Sequence, residues 1–105
     1  MATAYSIPNA FDLNFVRSNG ELIRRAVEAA GASNPRVIGE VARGQTPRDN
    51  HIDILVSSEP HLSLFGLVGL EERLSLILDM HVGVWTEEGY RPDELARYLA
   101  DAVPL

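Results

Sequence analysis

The sequence predicts one α+β domain, with a small mixed sheet of about three strands packed by helices. Three observations lead there. The stretch "HIDILVS" begins with strict polar–apolar alternation, the period of a strand. "GELIRRAVEAAG" instead spaces its apolar residues as a helix does. The chain has 105 residues, 46% of them hydrophobic, which suffices for one modest core.

Taken in order, residues 1–19 hold two candidate starts and no clear period. They read as an N-terminal arm or a short first helix. Ser18 and Glu21 then have capping-box spacing. Leu22, Ile23, Ala26, Val27 and Ala30 form an apolar stripe, and Gly31 can end the helix in the left-handed conformation. "NPRVIG" reads as a turn and a short strand, and residues 40–50 as a loop with room for one helical turn at its start. "HIDILVS" is the next strand. Its unbroken run Ile54, Leu55, Val56 predicts burial on both faces near the strand end.

Residues 60–79 read as a helix with Pro60 near the first turn. Its apolar residues, among them Leu62, Leu64, Phe65, Leu67, Val68, Leu70, Leu74, Leu76, Ile77 and Leu78, exceed one core-facing stripe. Gly66 and Gly69 weaken it by about 1 kcal/mol each relative to Ala. "MHVGVWTEEG" is a third strand and its exit. "RPDELARYLADAVPL" is a last helix, with Leu95, Leu99 and Val103 on one face. No repeat or linker interrupts the order, so a single domain over 1–105 is expected.

The net charge is −6, and all nine basic residues are Arg. Phosphate affinity comes mainly from Lys and Arg, so this balance disfavours nucleic acid as a direct partner. It suits a basic protein partner, or simply solubility. With no cysteine, disulfides and cysteine-zinc sites are excluded. The first residues lack a basic stretch before an apolar run, so no secretory signal is expected. The run "LSLFGLVGL" is too short to span a bilayer. A cytoplasmic location without membrane association is the expectation.

Three segments together carry a family resemblance. "GEVARG" at 39–44, "PRDNHIDILV" at 47–56 and "HVGVWTEEGYRP" at 81–92 stand in order and at suitable spacing. They resemble the Gly-Ser-x-Ala-Arg-Gly loop, the Pro-x-Asp-Ser-Asp-Ile-Asp strand and the third strand of the minimal nucleotidyltransferases of the polymerase-beta superfamily. The resemblance runs from about Gly20 to Leu105, and the closing "AVPL" also fits. It implies a nucleotidyltransferase-like fold. In the family, two acids at i and i+2 of one strand and a third on its neighbour hold two Mg²⁺. The loop cradles a nucleoside triphosphate.

Position by position, the resemblance assigns the nucleotide loop to Gly39, Glu40, Arg43 and Gly44, with Glu40 in place of the serine. The first metal acid falls on His51, the second on Asp53 and the third on Gly83. Only Asp53 keeps its carboxylate, as the remnant of the catalytic set. One carboxylate is a poor Mg²⁺ site, and imidazole suits other metals better. Glu40 places a negative charge beside the triphosphate. At about 4 Å this costs roughly 1 kcal/mol in water and about 4 kcal/mol at an effective dielectric near 20. A second arrangement has Asp49, His51 and Asp53 alternating along one face to hold a transition metal, joined by His81. The competing reading leaves both histidines exposed at strand ends. Arg43 is expected to pair with Glu40 or Asp49.

Stand-alone relatives of this size are usually antitoxins encoded beside HEPN-domain ribonuclease toxins. The resemblance therefore implies such a toxin as partner in a hetero-oligomer. The favoured expectation is a non-catalytic, antitoxin-like binder without cofactor, which docks through Leu64, Leu67, Val68 and Leu74. The alternative is a residual adenylyltransferase that uses Mg²⁺ and ATP to modify the partner toxin. A third is a nucleotide-sensing or structural subunit.

Overall fold

The computed structural model describes residues 13–46, 49 and 51–105. Most of the expected N-terminal arm, residues 1–12, lies outside the described residues. Helix α1 spans Leu13–Ser18 and helix α2 spans Gly20–Ala30. Ser18 does not form the expected capping box. Asn19 holds the N-cap position, and the Ser18 hydroxyl donates to the Phe15 carbonyl at 2.7 Å. The reason is α1, which offers Ser18 a helical carbonyl one turn back. Ile23, Ala26 and Val27 are buried, but Leu22 is turned about 100° from Ile23 and lies exposed. Gly31 ends α2 at φ +99°, as expected. A Cβ there would stand 2.9 Å from the His61 ring, so the turn needs glycine for both reasons.

Strands β1, Ala32–Ile38, and β2, His51–Ser58, pair antiparallel, with an irregular register between Ser33 and Arg36. Strand β3, His81–Thr86, runs parallel to β2. A parallel neighbour requires a crossover, which helix α3, Leu64–Leu78, provides. Helix α4 spans Pro92–Asp101. A fourth strand, β4, is only Val103–Pro104 and pairs with Arg36 and Val37. The sheet order is β3-β2-β1-β4. Val103 thus leaves the face of the last helix on which the sequence placed it. Pro104 disfavours helical backbone at the preceding Val103, and the chain has already left the helix at Ala102, which is extended.

Helix α3 also starts later than expected. Pro60 lies in a turn closed by the Leu62 amide on the Glu59 carbonyl. Ser63 is the N-cap, its hydroxyl accepting from the Gly66 amide at 3.0 Å. From α3, Leu70, Leu74 and Leu78 meet Ile52, Ile54, Val56, Val82 and Val84 of the sheet, and α2 closes the same core. Leu55 is buried on the opposite face, so β2 is covered on both sides as predicted. Side chains of α3 also cap the outer edge of β3. The Val82 amide donates to Ser75 Oγ at 3.2 Å and the Val84 amide to Glu71 Oε2 at 2.9 Å. Among the described residues, no helix is long and apolar enough to cross a membrane.

Candidate functional site

The register of the sheet builds the site. Asp53 pairs with Ile38 on one side and Gly83 on the other, while His51 pairs with His81 and Leu55 with Trp85. Alternation turns His51, Asp53 and Leu55 away from the core face carrying Ile52 and Ile54. Gly83 and Trp85 share that outer face. Gly39 begins the loop after β1 at φ +81°, and a Cβ on it would lie 3.8 Å from Asp53 Oδ2. The expected helical turn follows: the Arg43 amide reaches the Gly39 and Glu40 carbonyls, and the Gly44 amide that of Val41. The structure therefore brings Gly39, His51, Asp53 and Gly83 together.

Asp53 is not free. Its Oδ1 lies 2.6 Å from His51 Nε2 and accepts from Trp85 Nε1–H at 2.8 Å. The place where a third acid would project from Gly83 is also taken. A Cβ there would stand 2.9 Å from Asp53 Oδ1, 3.2 Å from Trp85 Nε1 and 3.3 Å from His51 Cε1. Trp85 continues into an aromatic row, 5.8 Å from Tyr90, which in turn is 4.9 Å from Tyr98 of α4. Burial, then Tyr98, Asp53 and Glu94, push the Tyr90 phenol up to about 12.

These donors do not fit Mg²⁺. It needs several hard oxygens in octahedral geometry. The cluster offers one carboxylate, and one of its two oxygens is already held by His51 and Trp85. The Asp49–His51–Asp53 arrangement does not assemble either. Asp49 lies exposed ahead of β2, and His81 lines a groove under α3 with Glu71 and Ser75. Among the described residues, no three His, Asp or Glu side chains converge as metal ligands.

Arg43 corrects another expectation. Its partner is neither Glu40 nor Asp49 but Asp101, at 3.7 Å, in the last turn of α4. The two flank a cavity of about 530 Å³ that Arg97 and Tyr98 also line. The helical turn after Gly39 carries Arg43 toward α4, which sequence spacing alone could not reveal.

On α3, Leu64 and Val68 are exposed, as a docking role requires, but Leu74 is fully buried and Leu67 half-buried against the core. Leu74 shares the inward face with Leu70 and Leu78, one helical turn away on either side. Phe65 and Leu76 counted toward the apolar surplus in the sequence, but not as docking residues. They are 91% and 83% exposed, the most of any large apolar side chains described. Sequence reasoning also missed Trp85, whose signal was present: Trp85 follows Gly83 at i+2, on the face of Asp53. The buried Arg36, paired with Glu87 at 2.8 Å, was likewise unforeseen.

Neither a family profile nor a curated protein matches the sequence. Two solved structures are similar. A crystal structure of a toxin–antitoxin with AMP-PNP has a TM-score of 0.68, with 17% identity over 82% of this chain and 71% of that one. This likeness concerns the fold. A structure assigned to the minimal nucleotidyltransferases has a TM-score of 0.80 and 32% identity, covering 90% of this chain and 96% of that chain. With that identity over nearly the whole of both chains and the same fold, this chain belongs to the minimal nucleotidyltransferases.

Proposed function

We propose that the protein is a non-catalytic, antitoxin-like member of its family that binds and neutralises a HEPN-type toxin in a hetero-oligomer. One observation carries the loss of catalysis: Asp53 Oδ1 is engaged by both His51 and Trp85 where the family's chemistry needs open metal ligands. Glu40 beside the loop works in the same direction. On this reading neither Mg²⁺ nor ATP acts as a cofactor, and Asp53 anchors structure through His51 and Trp85. Two observations support the binding role: an apolar face on α3 that the core leaves exposed, and the fold shared with a toxin–antitoxin structure.

The second reading is a residual adenylyltransferase acting on its partner with Mg²⁺ and ATP. It is favoured by the loop, whose Gly39 and Gly44 keep the positive φ that the turn demands beside Asp53. The test is co-expression with the product of the adjacent gene. A non-catalytic binder predicts a stable complex and relief of growth arrest by both wild type and Asp53→Asn. Relief by wild type alone, with the Asp53→Asn complex intact, contradicts it. An adjacent gene that encodes no HEPN-type protein removes the proposed partner.

A further inference from the structure

Helix α3 has two apolar faces. Leu70, Leu74 and Leu78 form the inward one. Leu64, Val68, Phe65 and Leu76 fall within an arc of about 120° on the opposite side and are 75%, 48%, 91% and 83% exposed. Glu72 sits inside that arc and makes no ion pair with a described residue. Along the β3 side of the stripe runs a groove of about 550 Å³, lined by Glu71, Glu72, Ser75, Leu76, His81 and Val82.

We infer that this stripe and groove receive an amphipathic helix of another protein, whose apolar face is flanked by Lys or Arg. The inference rests on the binding role proposed above and specifies the partner segment. Two further features favour it. An extended segment cannot add to β3, because the Val82 and Val84 amides are already held by Ser75 and Glu71. A helix laid along α3 needs no such amides. A second copy of this chain is disfavoured by charge. Two-fold pairing of α3 centred on Glu72 opposes like carboxylates, and the chain carries a net −6. The same Glu72, beside Glu71, is complementary to a cationic flank.

The probe is a synthetic helical Leu/Lys peptide with leucines at i, i+3, i+4 and i+7, compared with its Leu/Glu counterpart. Binding is read by calorimetry on the full chain. The Leu/Lys peptide is expected to bind and the Leu/Glu peptide to bind about tenfold more weakly or not at all. Phe65→Ser and Leu76→Ser leave the charge unchanged and lie in solvent, so both should fold. Each is expected to weaken Leu/Lys binding about tenfold, the scale of a docking anchor. Glu72→Gln is expected to weaken it several-fold, with stronger salt sensitivity in the wild type. Equal binding by both peptides, or Leu/Lys binding unchanged by Phe65→Ser and Leu76→Ser, overturns the inference. So does concentration-dependent dimerisation abolished by those variants. With the adjacent gene's product, a complex unaffected by Phe65→Ser and Leu76→Ser overturns this surface alone. No complex with wild type overturns the functional proposal itself.

Discussion

At the scale of single residues, Asp53 is held by hydrogen bonds, with His51 and Trp85 both on its Oδ1. Asp53→Ala removes the acceptor for Trp85 and the partner of His51. The cost is about 1 kcal/mol, because the site is partly open to solvent, or roughly 4–8 °C in Tm for a domain of this size. Trp85 is the chain's one tryptophan, so its fluorescence reports the broken bond directly. Gly83→Asp is expected to disturb the same bond and shift the same emission, since the new Cβ meets Asp53 Oδ1 and Trp85 Nε1. In a triple variant Glu40→Ser, His51→Asp and Gly83→Asp, the side chain added at Gly83 enters space that Asp53 Oδ1 and Trp85 Nε1 now occupy. Tyr90 supplies a pH test. Its phenol is raised from an ordinary 10 to about 12, so the folded state holds the proton that the unfolded chain releases first. The stabilisation is complete below pH 10 and is lost as the pH rises from 10 through about 12. A phenolate absorbance titration should show a late step that Tyr90→Phe removes. The identities of His51, Asp53 and Gly83 were legible in the sequence because strand alternation and the motif number them. The Trp85 bond was not, because it depends on the register of two strands brought together by α3.

At the scale of elements, the packing of α3 organises the domain. A methyl group added at Gly69 would meet nothing within 4 Å, so Gly69→Ala should gain about 1 kcal/mol in helix propensity and raise Tm. A lowered Tm would contradict open space around Gly69. Arg36 joins β1 to the turn at Glu87–Gly89 through Glu87, and it also donates to Ser57. Arg36→Ala should cost about 2 kcal/mol. This is below the value for a fully buried pair, because Glu87 is a third exposed; urea unfolding measures it. The excess of apolar residues in α3 was plain from composition, since one stripe could not absorb them. Which residues face outward was not, because apolar residues lie nearly all round α3 and leave the inward stripe of Leu70, Leu74 and Leu78 unmarked. Strand β4 escaped notice for a simpler reason: two residues carry no period.

At the scale of the whole molecule, the family fold is present, and on the proposed reading it serves binding, with Asp53 Oδ1 engaged by His51 and Trp85. On the same reading, the net charge of −6 and Glu40 in the loop disfavour a polyphosphate. Mg²⁺-ATP is therefore expected to leave Tm unchanged. A rise of several degrees would reveal binding by linkage. The most direct test of the central claim incubates the protein with labelled ATP, Mg²⁺ or Mn²⁺ and the adjacent gene's product. The prediction is a stable complex with no label on either chain. Label on the partner that disappears with Asp53→Ala would contradict it.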